Sequence, residues 1–444
     1  MRLVGDIALD AEVRAIASGA ITDGAPVVVN SDGTVKIVES TSVTDAVGSE
    51  TVFESANTQY TASTFDTSNN KVVIAYRDSG NSGYGTAIVA TVSDTSISFG
   101  SPVVFESAAS VYITATFDSS NNKVVIAYRD DGNSDYGTAI VGTVSGTSIS
   151  FGSPTVFDSS NHQGNFNSAT FDSNSNKVVI AYQDGRNSDY GTAVVGTVSG
   201  TSISFGSPVV FESAISRYFS AAFDSNANKV VIAYRDDGNS SYGTAIVGTV
   251  SGTDISFGSA ATFISSRADE IAATFDSNAN KVVISFADDN NSQKGKAVVG
   301  TVSSTSISFG SAVLFNNGGT KITSVIYDTS ASKVVIAYED DGNSGHGTFV
   351  LGTVSGTSIS FGSETVFNTA TTNELSTVFD SNLSRVVIVY RDEGNSNYGT
   401  SIVLRNASTS INLTSENFIG FAHAAYADGQ KATVKTTGSI ARNN

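Results

Sequence analysis

One stretch of this chain, FDSNANKVVIAYRD at Phe223–Asp236, is written again and again at a nearly constant interval. Related copies begin at Phe65, Phe117, Phe171, Phe223, Phe275, Tyr327 and Phe379, so the steps are 52, 54, 52, 52, 52 and 52 residues. A fixed period of this length marks a repeat architecture, in which each unit buries its apolar faces against its neighbours. The 444 residues therefore read as one array with two non-repeating ends.

Each copy divides into four strand-like runs. In the fourth copy they are RYFSAAFD, KVVIAYRD, YGTAIVGTVS and DISFGSAATF. The connections are short and made of Asp, Asn, Gly, Ser and Thr, which are turn residues, so the four strands form an antiparallel meander. Val230 to Tyr234 is apolar without alternation, the pattern of a strand buried on both faces. Ile255 and Phe257 alternate with Ser256, the pattern of a strand with one wet face. Sheets with dry inner strands and a wetter edge are expected to stack around an axis as a β-propeller, which typically has about 4–8 four-stranded blades. The expected fold is all-β, with a seven-bladed propeller at 48–411. A solenoid is the structural rival, but its coils repeat at shorter periods.

The ends read differently. APVVVN and TVKIVE flank Asn30–Gly33 as a hairpin, and the tail from Asn417 offers further short strands around Asp428-Gly429. Neither end is long enough to bury a core alone. Residues 1–47 and 412–444 are therefore expected to pair into one small β domain, with the propeller inserted in it. TVFES at Thr51–Ser55 matches VVFES at Val103 and Val209, and STSINLTSENF at Ser408–Phe418 stands where a fourth strand would come. Chain start and chain end are expected to share the last blade.

A net charge of −18 argues against nucleic acid and anionic membranes as partners. With no cysteine, disulfides, thiolate metal sites and cysteine nucleophiles are excluded. The start MRLVGDIALDAEVRAIASG lacks the apolar core of a signal peptide, so synthesis in the cytoplasm without Sec export is expected.

The chemistry is sparse. Asp-x-x-x-Asn-Lys recurs at Asp66, Asp118, Asp172, Asp224 and Asp276. It resembles the start of a calcium loop, but the required Gly and distant Glu are absent, and an Asp capping its own turn is the expected role. Arg77, Arg129, Arg235 and Arg391 recur at one position and read as salt bridges between blades. His162, His346 and His423 are far apart and suggest neither a triad nor a metal cage. No carboxylate pair is singled out for glycoside hydrolysis. Neither catalytic residues nor a metal or cofactor are expected.

The copies differ most between the fourth run and the next first run, read here as a loop. Meander geometry places it on one propeller face together with the connection between second and third strands. That face carries Tyr60, Tyr112, His162, Gln163, Arg217, Tyr218, Arg267, Asp269, Glu270, Lys321 and Glu374. Aromatic and polar side chains held on a rigid scaffold suit sugars or protein surfaces. The alternative is drift in solvated loops.

GAITDGAPVVVNSDGTVKIVE with LTSENFIGFAHAAYADGQKATVKTTGSI resembles a module of tailed-bacteriophage structural proteins. FDSSNNKVVIAYRDDGNSDYGTAIVGTVSGTSISFGSP is similar to repeats of virion and tail-fibre-like proteins of marine phages. The resemblance implies a non-catalytic virion protein, partnered by capsid or tail proteins, oligomeric through virion symmetry, and displaying its propeller to a host glycan or receptor. The competing reading is a lectin or glycosidase-like propeller unrelated to phage.

Overall fold

The computed structural model describes residues 12–159, 167–412 and 417–436. The chain divides into two compact units, one of residues 45–406 and one of residues 1–44 with 407–444.

In the larger unit each repeat forms an antiparallel sheet. In the fourth copy, Lys229–Asp236 pairs with Tyr242–Ser251 from Val230↔Gly248 to Asp236↔Tyr242. Tyr242–Ser251 then pairs with Asp254–Phe257 across a two-residue turn. Val230 to Tyr234 are each 0% exposed, while Asp254 and Ser256 are exposed beside buried Ile255. The unbroken and alternating apolar patterns thus mark the dry middle and the wet edge as expected.

The turns are held by their own carboxylates. Asp66 Oδ1 accepts from the Ser68 and Asn69 backbone N–H groups at 2.8 and 3.0 Å. Asp224 does the same for Asn226 and Ala227, and Asp276 for Asn278 and Ala279. These aspartates are 1–3% exposed, so each buried charge is compensated by local donors.

In six copies the connection read as a variable loop is not a loop, and in the third it falls partly outside the described residues. Val209–Asp224 is one 16-residue strand, as are Thr51–Asp66, Val103–Asp118, Ala261–Asp276, Val313–Asp328 and Thr365–Asp380. Its first half completes the edge of one sheet and its second half is the innermost strand of the next. In Ala261–Asp276, Ala261 opposes Ala245 of the fourth copy and Asp276 opposes Lys281 of the fifth. The strand turns the corner by a bulge rather than a loop, which keeps its backbone groups paired on both sides.

Apolar layers lie between consecutive sheets. Val231, Ala233, Ala245 and Val247 of the fourth copy pack with Val282, Ile284, Phe286 and Val298 of the fifth. The same arrangement joins the seventh copy to the first, where Val387, Val389 and Val403 meet Val72, Ile74 and Ile88. Each edge strand also sends a phenylalanine into the next sheet. Phe105 meets Tyr128 and Phe151 of the second copy with ring centroids 5.2 and 5.7 Å apart.

The seventh sheet differs from expectation at its edge. Ser408–Ile411 does not complete it but pairs with Ser40–Val43 in the smaller unit. The edge comes from the amino-terminal side, where Val47 opposes Leu404 and Thr51 opposes Ser401. The sequence carries the signal, since GSETVF at Gly48–Phe53 is repeated at Gly362–Phe367.

The smaller unit is a five-stranded antiparallel sheet in the order Glu12–Ile16, Lys431–Lys435, Phe418–Ala422, Pro26–Val29 and Val35–Ile37. Strands from the two chain ends are interleaved. They cover a small core of Ala17, Ile21, Val27, Val35, Ala422, Ala432 and Val434.

Candidate functional site

The bulge in each long strand sets the geometry of the site. Register slips between Gln59 and Ala62, Val111 and Thr114, Arg217 and Ser220, Asp269 and Ala272, Lys321 and Ser324, and Asn373 and Ser376. The first bulged residue is left-handed in every case: Tyr60, Tyr112, Tyr218, Glu270, Ile322 and Glu374 have φ between 46 and 54°. Non-glycine residues adopt this conformation at a cost, so their recurrence at one position marks a bend the architecture demands. Innermost strands of successive copies meet there. The Tyr60 N–H donates to Glu374 Oε2 at 2.7 Å, and the Thr61 hydroxyl donates to the Glu374 carbonyl. Ile322 N–H donates in the same way to the Glu270 carboxylate.

The residues singled out from sequence gather around these bulges and the adjoining turn between second and third strands. Tyr60 and Tyr112 meet edge to face at 5.0 Å. The Arg129 guanidinium lies over Tyr112 at 5.3 Å, and Arg235 lies over Tyr218 at 5.0 Å. Arg217 bonds Asp237 at 3.0 Å, and Arg267 bonds Asp269 at 2.9 Å. Lys321 bonds Asp341 at 2.7 Å. Glu374 sits 3.8 Å from Arg391. His162 and Gln163 lie outside the described residues.

The recurring arginines do not uniformly bridge blades. Arg129 pairs with Asp131, and Arg391 with Glu393 and Glu374, each within its own copy. The Arg77 guanidinium lies against Gly83, and its buried Nε has no acceptor among the described residues. Arg235 does cross copies, since it bonds Asp237 in its own copy and Asp269 in the next.

One residue was missed. Glu339 occupies the position of these arginines in the sixth copy, and only 5% of it is exposed. The signal was visible as AYED in place of AYRD. Burial pushes the Glu339 carboxyl up to about 7, with the nearby Lys321 pulling it down. Glu270 is also pushed up to about 7 by burial, with Asp269 adding to the effect. Glu374 is raised for the same reason, against the pull of the Tyr60 N–H. Tyr112 and Tyr218 are pushed up to about 12, chiefly by burial, and stay protonated at neutral pH.

The face is therefore two-sided. Tyrosines mark the first, second and fourth copies, those of the second and fourth under guanidinium groups, and buried carboxyls raised above their ordinary value mark the fifth to seventh. Such a surface offers aromatic faces, hydroxyl donors and carboxyl groups able to donate or accept. It suits a neutral polyhydroxyl ligand better than a phosphate.

No protein-family model and no curated protein sequence matches the chain. Among solved structures it is similar to the BP39L lectin from Burkholderia pseudomallei, with 9% identity over 81% of this chain and 97% of that chain and a TM-score of 0.56. It also aligns with the SapL1 lectin in complex with alpha methyl fucoside, at 12% identity over 71% of this chain and 98% of that one, TM-score 0.44. A third match is Sqt1 from Saccharomyces cerevisiae, at 9% identity, 89% and 100% coverage and a TM-score of 0.46. The first likeness concerns the fold, which is a β-propeller.

Proposed function

We propose that this chain is a non-catalytic, glycan-binding, seven-bladed β-propeller carried on the surface of a phage virion. The observation that carries the binding reading is the recurrence of Tyr60, Tyr112, Tyr218, Glu270 and Glu374 at the equivalent bulge of five copies, with Arg129 and Arg235 stacked on two of the tyrosines. The likeness in fold to a lectin supports it. Seven sheets in a ring account for the apolar layer between the seventh and first copies and for the pairing of Tyr398 with Asn57. The virion setting rests on the resemblance of repeats and ends to phage structural proteins, with the smaller unit as the anchor to capsid or tail.

A glycan array probed with the full chain tests the binding reading. Tyr112→Asn and Tyr218→Asn keep a side chain that tolerates the left-handed backbone. The double variant is expected to lose binding at least tenfold. Absence of any glycan hit, or equal binding by the variant, would overturn it. Hydrolysis of a bound glycan would replace it with an enzymatic reading built on the raised carboxyls of Glu270 and Glu339. Mass spectrometry of purified phage particles tests the setting separately, and absence of the chain from the particle would end that part.

A further inference from the structure

Four copies carry an arginine one position before the end of their second strand: Arg77, Arg129, Arg235 and Arg391. Three of them are answered by carboxylates. Arg129 bonds Asp131 at 2.8 Å. Arg235 bonds Asp237 at 2.6 Å and also reaches Asp269 of the next copy. Arg391 bonds Glu393 at 2.9 Å and faces Glu374 at 3.8 Å. Arg77 has neither an ion pair nor a hydrogen bond among the described residues. No ring takes its charge either, as Tyr112 and Tyr218 do for Arg129 and Arg235, because Tyr60 packs on Tyr112 instead.

Every acid that answers this position elsewhere is replaced around Arg77. Ser79 stands where other copies have Asp131, Asp237, Asp289, Asp341 and Glu393, and Gly83 stands where the second copy has Asp135. Val111 of the next copy holds the strand position from which Asp269 reaches Arg235. Asp78 is committed to its own turn, where Oδ1 accepts from the Gly80 and Asn81 backbone N–H groups at 2.9 and 3.1 Å. The guanidinium lies along Gly83, where a Cβ would stand 2.8 Å from its Nε. Arg391 shares the unmet Nε, but carboxylates hold its Nη groups, whereas those of Arg77 have none. A partly buried donor left without an acceptor marks a place for one that the chain does not supply. Arg77 pairs with Gln59 at the turn end of its sheet, while the chain enters and leaves this unit at the other end of the strands, beside the Arg405↔Ala46 pair.

We infer that Arg77 anchors a carboxylate of the glycan, so that the ligand is an acidic saccharide bearing uronic- or sialic-type carboxyl groups. This rests on the glycan-binding reading above and narrows it. The rest of the face suits neutral hydroxyls, and Arg77 adds one place for a single negative charge. The planar fork of a guanidinium matches the two oxygens of a carboxylate. A doubly charged phosphate would be only half neutralised there, in a chain of net charge −18. The Ser79 hydroxyl and the Gln59 amide, 3.4 Å apart, adjoin the arginine and can bond sugar hydroxyls. An acidic peptide offers the same carboxylate but not the ring hydroxyls that these groups and the tyrosines would meet.

An array of carboxylated, sulfated and neutral saccharides, probed with the full-length protein, tests this. Carboxylated saccharides are expected to bind best, and reducing their carboxyl to the alcohol is expected to weaken binding roughly tenfold or more. Arg77→Gln is expected to lose the same factor toward the carboxylated ligand and nothing toward its reduced form. Ser79→Asp keeps the arginine and gives it the partner that four other copies have, so it is expected to weaken acidic-ligand binding equally with the melting transition intact. Lys71→Gln, which removes a charge at the far end of the same strand, is expected to bind like the native chain. Hits confined to neutral saccharides, or native binding by both Arg77→Gln and Ser79→Asp, would overturn the inference and leave the glycan reading standing. Preference for sulfated over carboxylated saccharides would overturn it too. Binding of a polyglutamate peptide that is lost in Arg77→Gln, with no saccharide bound, would assign the arginine to an acidic protein segment and overturn both readings, as would an array without hits.

Discussion

A glycine can be required in one copy and optional in another, and the difference lies in what the next sheet does. Gly310→Ala would drive a methyl group to 1.8 Å from the Thr357 carbonyl. Backbone must move to relieve that, at a cost of about 2–4 kcal/mol in unfolding free energy. Gly362→Ala meets nothing closer than 3.8 Å, and its expected effect is within about 0.5 kcal/mol. Paired urea titrations of the two variants check this, and equal losses would show that the glycine serves the turn and not the contact. The buried carboxyls make a second prediction. Glu270 and Glu339 are pushed up to about 7 in the folded chain from an ordinary 4.5. Between those values the folded chain holds protons that the unfolded chain has released. Stability from these groups therefore falls as pH rises from about 4.5 to about 7 and levels off above. Thermal melts from pH 5 to pH 8 are expected to drop more for the native chain than for Glu270→Gln with Glu339→Gln. Equal profiles would count against the raised values.

The turns illustrate competition between local effects. Asp94 occupies a left-handed turn position, φ 51°, where other copies have Gly146, Gly200, Gly252, Ser304 and Gly356. It accepts from Arg385 at 2.8 Å and from Arg405 at 3.0 Å, so the first and seventh copies are tied through it. Its side chain is 61% exposed, and exposed pairs are worth only about 0–1 kcal/mol. Relief of a left-handed aspartate by glycine is worth a similar amount. Asp94→Gly is therefore expected to change unfolding free energy by less than about 1 kcal/mol, with less salt dependence than the native chain. A loss of several kcal/mol would mean that this ion pair, and not apolar packing, holds the two copies together. The strands themselves were legible from composition. Runs such as KVVIAY state their burial through the lack of alternation, and Asp-Ser-Asn-x-Asn states its turn. The 16-residue strand was not legible, because a bulge with Tyr or Glu in a left-handed conformation looks like loop sequence when read alone.

Joining the first copy to the seventh is signalled by the repeated GSETVF and made by packing between distant segments. Phe53 lies near the amino terminus, yet it meets Tyr76 and Phe99 at 5.3 and 5.9 Å, as Phe105 meets Tyr128 and Phe151. If the ring is closed, Phe53 is a core residue like any internal copy's. Phe53→Ala and Phe105→Ala are then expected to cost the same, about 3–5 kcal/mol each. A much smaller loss for Phe53→Ala, measured on the same denaturant transition, would show that the sheets form an open array. The period, the four strands per copy and the dryness of the middle strands were determined by sequence alone, because repeated side chains in register need only their immediate neighbours to be understood. Tertiary structure decided the rest: that variable residues lie on bent strands, that Ala46–Asn57 rather than Ser408–Phe418 edges the last sheet, and that one junction lacks its hairpin. Those features depend on which distant segments arrive side by side, and burial, raised carboxyl protonation and empty space exist only after they have arrived.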